Sequence, residues 1–214
     1  ELELGQDMVP DRDVSSVIAV GPSGKDRHFY LAIRATDKVG NHSELSQASV
    51  VVPKSRVLFE DGFEVAEGTP DGWTFEGEWA REEFAGRGTI VTDSPDGDYK
   101  NNVDASLTSP VIDLKGIKNA VLSFDARYTI EPKHDGCLVE IESDGWWGKK
   151  WKTLTKLDGF SEWKNQRVDI SEYAGKDVRI RFRMKTDRDR VAYGIQLDHM
   201  TVSTSDPAET PANV

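Results

Sequence analysis

Acidic side chains gather at three places along the chain, and clustered carboxylates are the groups that bind hard cations. The first group lies at Glu60 and Asp61, the second in the Asp93–Asp104 loop and the third at Asp198. The loop does not have EF-hand spacing, because Gly97 comes one position early and no flanking helices are visible. Solvated turns are also rich in Asp, which bonds the local backbone. The residue types therefore leave calcium ligation and solvated turns both open.

Two adjacent tryptophans, Trp146 and Trp147, fall in a predicted turn between strands, where a large apolar ring has no obvious core to enter. Exposed indole rings stack on sugars and act as hot spots for protein partners. In the alternative interpretation, one ring folds back over a sheet edge and the other shields the hairpin. The pair is thus a candidate ligand-binding site for a glycan or a protein.

Motifs for hydrolytic chemistry are absent from the sequence. The four histidines are scattered without zinc spacing, and there is no Gly-x-Ser-x-Gly elbow. Cys137 alternates with Val139 and Ile141, which predicts a buried, inert thiol. We therefore expect no catalytic residue and no enzymatic activity in this chain.

Composition narrows the class of protein further. The 214 residues carry 27 Lys and Arg against 38 Asp and Glu, a net charge of −11, which disfavours nucleic acid as a partner. No apolar run approaches the length of a membrane span, and one cysteine cannot form an internal disulfide. Because the chain opens at Glu1 without a leader, we expect a piece of a longer protein.

Alternating apolar and polar residues predict β-strands in most of the chain. In the clearest case, Val178–Lys185, the apolar residues share one face and Arg or Lys the other, because side chains alternate across a strand. Further strands are predicted at Phe29–Ala35, Ala48–Val52, Ala120–Phe124, Leu138–Ile141 and Gly194–Val202. One helical turn is indicated, at Ile170–Gly175. Many short strands joined by Gly- and Asp-containing turns favour a β-sandwich.

A basic stripe lies on the polar side of the clearest strand and consists of Arg179, Arg181, Arg183 and Lys185. We expect carboxylates across the ladder to balance it, with Glu140 and Glu142 as suitable partners. A site for an anionic polysaccharide is the alternative.

The segment before Pro53 resembles part of a known module. Residues 29–46, followed by Ala48–Val52, are similar to the last hairpin of a fibronectin type III domain. Only the C-terminal half of such a domain is covered, so residues 1–53 are identified as a partial module. The resemblance implies a smaller Ig/fibronectin-like β-sandwich that acts as a spacer or adhesion module.

The longer segment resembles a second family through six pieces in the right order. They read FEDGFE with PDGW, TDSPDGDY, SLTSPVIDL, HDGCLVEIESDG, VDISEYAG and GIQLDHMTV, from Phe59 to Val202. They are similar to the MAM-like jelly-roll domain that follows the catalytic domain in immune-inhibitor-A-type and other secreted bacterial peptidases. The closing piece departs from the family at Ile195, Gln196 and His199, of which the last stands where a second Asp is usual.

The resemblance implies an all-β, antiparallel jelly-roll β-sandwich over residues 54–205, with residues 206–214 as a disordered tail or linker. It also implies a secreted or cell-surface, non-catalytic domain with a structural calcium. The first and last strands of a jelly roll lie near each other. The predicted calcium site therefore combines Glu60, Asp61, Asp93 and Asp198.

Together these features predict an accessory region of a larger secreted peptidase. It would stabilise or position the parent catalytic domain and contact a protein substrate or a cell-surface glycan. A stand-alone carbohydrate-binding module is one alternative, with Trp146, Trp147, Trp79 or Tyr193 as stacking platforms. A protein-adhesion module is the other.

Overall fold

The computed structural model describes residues 27–52, 55–65, 67–145 and 148–204. These residues fall into two units that divide between residues 54 and 55. Residues 1–26, the predicted tail at 206–214 and the Trp146–Trp147 pair lie outside the described residues. No helix in the described part of the chain is long and apolar enough to cross a membrane.

The first unit contains one antiparallel hairpin. Strand β1 (Arg27–Ile33) pairs with β2 (Ser46–Val52) along their full lengths. In the loop between them, the Asp37 carboxylate accepts hydrogen bonds from the backbone N–H groups of Val39 and Asn41, so a local Asx turn helps reverse the chain. The hairpin predicted here is confirmed, whereas its membership in a fibronectin type III module stays a prediction.

The second unit is an antiparallel β-sandwich of two sheets, so the predicted all-β sandwich is confirmed. The first sheet contains β4 (Thr74–Phe75), β7 (Asp104–Thr108), β8 (Ile112–Asp113), β10 (Gly136–Gly145), β11 (Gly148–Leu157) and β13 (Asp177–Lys185). The second sheet contains β3 (Val57–Asp61), β5 (Ala80–Phe84), β6 (Gly88–Thr92), β9 (Val121–Ile130), β12 (Gly159–Asp169) and β14 (Gly194–Ser203). A single 3₁₀ turn, Ser171–Tyr173, precedes β13.

The core lies between the two sheets and is formed by every second residue of their strands, the residues whose side chains point inward. Phe124 of β9 meets Phe182 of β13 edge-on, with ring centres 4.9 Å apart. Both side chains are fully buried, and burial of one such ring stabilises the fold by about 1.5–3 kcal/mol. Cys137 also lies in this core, which confirms that its thiol is buried, and burial raises the pKa of the thiol well above the usual value.

The basic stripe of β13 is charge-balanced by its neighbours in the first sheet. Arg181 lies opposite Glu140 in the ladder, and its Nη2 is 2.6 Å from Glu140 Oε2. Arg183 makes a two-pronged contact with Asp104 at 2.6 Å. The predicted pairing is therefore confirmed for Glu140, whereas Glu142 lies opposite Arg179 in the ladder but has its ion-pair contact with Lys149, at 4.0 Å.

The first and last strands of the sandwich lie side by side, as expected. Strand β3 pairs antiparallel with β14, so that Glu60 lies opposite Thr201 and Asp61 opposite Met200. After β3, Phe63 adopts a left-handed backbone conformation (φ 61°) and is fully buried. Strands β3 and β14 therefore place the predicted metal-ligating residues Glu60, Asp61 and Asp198 in the second sheet.

Candidate functional site

The outward surface of the second sheet combines aromatic and charged side chains. On its interior strand β9, buried residues alternate with partly exposed ones, and Asp125 and Arg127 belong to the partly exposed set. Strand β14 places Asp198 opposite Asp125 and Gln196 opposite Arg127. We call this surface the aromatic face and define it by Phe84, Arg87, Asp125, Arg127, Trp163, Tyr193, Gln196 and Asp198.

Arg87, in the turn between β5 and β6, holds this face together. Its Nη1 lies 3.0 Å from Asp125 Oδ2 and 2.9 Å from Asp198 Oδ2, so one guanidinium bonds carboxylates on two neighbouring strands. Its Cζ is 4.1 Å from the centre of the Trp163 ring, which is a cation–π contact. Phe84 meets the same ring edge-on at 5.5 Å. The rings and charges are thus fixed before any ligand arrives.

Arg127 links this cluster to a more exposed ring. Its Nη1 donates a hydrogen bond of 3.2 Å to Gln196 Oε1, and its Nε is 3.4 Å from Glu162 Oε2. Its Cζ lies 5.8 Å from the ring of Phe84 and 5.9 Å from that of Tyr193. Because Tyr193 is 47% exposed, the face presents an open aromatic surface beside polar groups.

The charged groups of the aromatic face are paired with one another. Arg87 is bonded to the carboxylates of Asp125 and Asp198, and Arg127 lies beside the carboxylate of Glu162. Partial burial opposes the charge of Arg87, but the hydrogen bonds that it donates to Asp125 and Asp198 outweigh this effect, so the pKa of Arg87 is raised. Neither arginine is therefore left without a carboxylate partner.

Two predicted calcium ligands, Glu60 and Asp61, have protein partners. Asp61 accepts the Phe63 N–H at Oδ1 (2.7 Å) and the Trp73 indole N–H at Oδ2 (2.8 Å). Glu60 is exposed, and its Oε1 lies 3.2 Å from His199 Nε2. Asp61 thus shapes the turn that buries Phe63, which is a structural explanation of the FEDG piece.

Asp93, the third predicted ligand, is buried where the DSP loop meets β14. Its Oδ1 accepts the Ile195 N–H (2.7 Å) and the Ser94 hydroxyl (3.2 Å), whereas Oδ2 is enclosed and has no hydrogen-bond partner. Burial raises the pKa of Asp93 to about 6, and the two hydrogen bonds offset this only in part. A Cβ at Gly194 would lie 2.3 Å from Asp93 Oδ1, so only glycine fits there.

The structure does not gather the four predicted ligands. Asp198 is bonded to Arg87, away from Glu60 and its His199 partner. None of the four belongs to the described group of acidic side chains whose ligand atoms come within 4.8 Å of one another. The geometry therefore does not fit one calcium ion shared by Glu60, Asp61, Asp93 and Asp198, and calcium binding by this chain stays a prediction.

The aromatic residues considered as stacking platforms have different fates. Trp146 and Trp147 lie outside the described residues, so their role stays a prediction. Trp79 is buried and offers no platform, whereas Tyr193 lies on the aromatic face. Sequence reasoning missed Arg87 and Trp163, because their contact depends on how the β5–β6 turn lies against β12.

No protein-family model matches this chain. It is similar to Bacillopeptidase F of Bacillus subtilis (strain 168), with 24% identity over 171 residues that cover 75% of this chain. The chain spans 12% of the length of that peptidase.

Solved structures to which this chain is similar include the following three. The CBM22-1 xylan-binding domain of Paenibacillus barcinonensis Xyn10C is 14% identical, with 70% of this chain and 95% of that domain covered and a TM-score of 0.44. The K1 cleaved adhesin domain of Lys-gingipain from Porphyromonas gingivalis W83 is 16% identical, with 69% and 98% covered and a TM-score of 0.45. The CBM29_1 carbohydrate-binding module from Piromyces equi is 10% identical, with 71% and 91% covered and a TM-score of 0.42.

Proposed function

We propose that this chain is a non-catalytic binding region of a larger secreted peptidase and that it takes a glycan on the aromatic face. The observation that carries the proposal is the half-exposed ring of Tyr193, which lies near the guanidinium of Arg127, itself bonded to Gln196 and Glu162.

The chemistry of this face matches that of a sugar ring. A pyranose has an apolar C–H surface and a rim of hydroxyls, each of which both donates and accepts hydrogen bonds. The Tyr193 ring supplies the apolar surface. The guanidinium of Arg127 donates and the exposed carboxylate of Glu162 beside it accepts, whereas Gln196 is buried and holds Arg127 in place. A neutral glycan makes no ion pair, and both arginines of this face already have carboxylate partners.

A second exposed ring lies at the same end of the sheet. Phe160 of β12 and Gly194 of β14 both lie opposite Thr129, on either side of β9. Two strand spacings separate their backbones, about 10 Å. Because Phe160 is exposed and Tyr193 adjoins Gly194, two rings flank one end of the face and extend the surface for a glycan chain.

Rigidity supports a binding role. Arg87 is held by two carboxylates and a tryptophan ring, and Arg127 by an amide and a carboxylate. Side chains fixed in this way lose little conformational entropy when a ligand binds. Such preorganisation is what a binding site on sheet strands provides.

The place in a larger peptidase rests on the likeness to a short segment of Bacillopeptidase F. In this proposal the parent catalytic domain is the covalent partner, and the module holds it close to glycan-bearing protein substrates or to a cell surface. The protein then acts outside the cell. The module contributes position and affinity, and the parent domain contributes the chemistry.

The direct test measures glycan binding by the intact chain on a glycan array and on insoluble polysaccharides. Tyr193→Ala and Phe160→Ala should each weaken binding by about tenfold, because a truncated aromatic anchor costs more than 1 kcal/mol. Tyr30→Ala is the matched control, since Tyr30 is an exposed tyrosine in the hairpin unit.

Two outcomes contradict the proposal. One is that the wild-type chain binds none of the glycans. The other is that Tyr193→Ala and Tyr30→Ala bind as well as the wild type does.

A further inference from the structure

A bulge in strand β12 places two consecutive side chains on the aromatic face. The register of β12 with β9 is interrupted at residues 162 and 163. Successive side chains of a regular strand point to opposite faces, whereas a bulge re-aims one of them. Here Trp163 contacts Arg87 and Glu162 contacts Arg127, so both side chains meet arginines of the same face. The bulge therefore adds a carboxylate to the face beside the indole ring.

The two arginines of this face are held by carboxylates that differ in exposure. Arg87 is bonded to Asp125 and Asp198, whose side chains are only 24% and 12% exposed. By contrast, Glu162 Oε2 lies 3.4 Å from Arg127 Nε, and the Glu162 side chain is 70% exposed. An ion pair in so much solvent contributes little to stability. The carboxylate of Glu162 is therefore dispensable for the fold, and its position matters for what approaches Arg127.

Glu162 lies where an acidic sugar would need to place its charge. The Cζ of Arg127 is 5.9 Å from the ring centre of Tyr193, within reach of a sugar stacked on that ring. A uronic acid carries a carboxylate on its pyranose ring, and the planar guanidinium suits a carboxylate because its N–H donors match both oxygens. Arg127 already donates through Nη1 to Gln196, and its Nε lies beside Glu162. Glu162 thus stands in the place of a uronate carboxylate and repels such a ligand.

Other charges around Tyr193 act in the same direction. Arg190 lies three positions before Tyr193 in the chain, and its Nη1 is 3.4 Å from Glu131 Oε1, so it also has a carboxylate partner. The chain as a whole has a net charge of −11. Both features act against the approach of an anionic ligand.

We propose that Glu162 is a specificity-determining residue, which makes the aromatic face select neutral glycans over glycans that carry uronic acids. This inference rests on the proposed glycan-binding function and names the class of glycan. Without the charge of Glu162, the guanidinium of Arg127 is open to the ligand, and an acidic glycan gains a charge-assisted hydrogen bond. A neutral glycan gains no such bond.

The test compares the wild-type chain with Glu162→Gln on an array of neutral oligosaccharides and uronate-bearing oligosaccharides of equal length. Glutamine keeps an acceptor oxygen for sugar hydroxyls but removes the charge. The ratio of acidic to neutral binding should rise about tenfold, because a repulsion is removed and an attraction is gained. In roughly 1 M NaCl, which screens exposed charges, most of this rise should disappear.

Glu172→Gln is the matched control. The Glu172 side chain is 71% exposed and pairs with Lys152 of the first sheet, so this variant removes the same charge from a similar environment on the other sheet. Its ratio of acidic to neutral binding should equal that of the wild type. An equal rise in Glu172→Gln would assign the effect to net charge and overturn the proposal.

A double variant ties the gain to one guanidinium. Glu162→Gln/Arg127→Gln should lose the gain in acidic binding, and thermal unfolding checks that it is folded. A folded double variant that keeps the gain would assign it to another cation, such as Arg190, and would overturn the proposal.

The remaining outcomes separate this inference from the proposed function. The inference fails if the wild type binds acidic glycans as well as neutral ones, or if Glu162→Gln keeps the wild-type ratio. A wild type that binds no glycan contradicts the glycan-binding function itself. In that case the role of Glu162 is supported if Glu162→Gln binds acidic glycans, and it is overturned if this variant binds none.

Discussion

The two outward faces of the sandwich use the same residue types in different ways. On each face an arginine Cζ lies 4.1 Å from the centre of a tryptophan ring: Arg181 over Trp151 on the first sheet and Arg87 over Trp163 on the second. Each of these arginines is also bonded to a carboxylate. Composition alone would assign both faces the same role.

The two faces differ in how much aromatic surface stays exposed to solvent beside the paired charges. On the first sheet, Arg181 and Glu140 are only 17% and 7% exposed, so their pair is nearly closed to solvent. On the second sheet, Arg127, which is paired with Glu162, adjoins the open ring of Tyr193. The comparison teaches that arginines on a strand have a structural role where carboxylates pair with them and exclude solvent. An aromatic ring that stays exposed beside paired charges instead marks a binding surface.

The largest effect is expected from breaking the Arg181–Glu140 pair on the first sheet. Arg181→Met leaves the buried carboxylate of Glu140 without its cation, which should destabilise the sandwich by about 3 kcal/mol. Thermal unfolding should show a melting temperature lower by about 10 °C. The double variant Arg181→Met/Glu140→Leu should recover most of this loss. A single variant as stable as the wild type would show that the pair is not structural.

A buried carboxylate without a basic partner provides the next contrast. The pKa of Asp93 is about 6 in the folded chain, against an ordinary value of 3.8. Between these values the unfolded chain loses the proton and the folded chain keeps it, so stability falls as pH rises from about 4 to about 6 and stays lower above that. The loss should be on the order of 3 kcal/mol.

Asp93→Asn cannot titrate, so its stability should stay flatter than that of the wild type over this pH window. Urea unfolding at a series of pH values measures the difference. Asp96→Asn, at an exposed position in the same loop, is the matched control and should keep the wild-type profile. Parallel profiles for the wild type and Asp93→Asn would mean that Asp93 does not retain its proton.

A smaller effect is expected from Arg87→Lys on the aromatic face. Lysine keeps the charge but lacks the planar fork that bonds Asp125 and Asp198 together and stacks on Trp163. We expect a loss of about 1–2 kcal/mol in unfolding free energy and weaker glycan binding. Arg179→Lys, at an exposed position in the basic stripe, should change neither. Wild-type binding and stability in Arg87→Lys would remove the organising role of Arg87.

The smallest effect should come from an ion pair whose two side chains are both exposed to solvent. Lys152 Nζ lies 2.9 Å from Glu172 Oε2, and both side chains are mostly exposed. Exposed ion pairs add little to stability because water screens them. The melting temperature of Lys152→Met should therefore equal that of the wild type within experimental error. A clear drop would show that pairing matters on the first sheet even without burial.

Much of the fold could be predicted from local patterns. The alternation in Val178–Lys185 predicts β13 almost to its ends at Asp177 and Lys185, because a half-buried strand must place apolar residues on one side. Strand β12 (Gly159–Asp169) was not predicted, and a bulge between Ser161 and Lys164 interrupts its register with β9. A bulge depends on the partner strand, so a single-strand pattern does not reveal it.

The candidate sites were less predictable. The carboxylate of Asp198 could be named from the sequence, but its partner Arg87 lies 111 residues away. Likewise, Glu162 meets Arg127 only because β12 pairs with β9 and carries a bulge at this position. Carboxylates look alike in a sequence, and the group that faces each one decides whether it pairs or stays buried.

The sequence by itself determined the class of this protein: strand-rich and acidic, with a single thiol in an alternating apolar strand. Those properties follow from side-chain alternation, composition and turn residues, which act over a few positions. Only the tertiary structure decided that Asp61 shapes a turn, that Asp198 pairs with Arg87 and that Tyr193 remains open beside them. These outcomes depend on strand register and sheet packing, which bring distant residues within the few ångströms over which hydrogen bonds and ion pairs act.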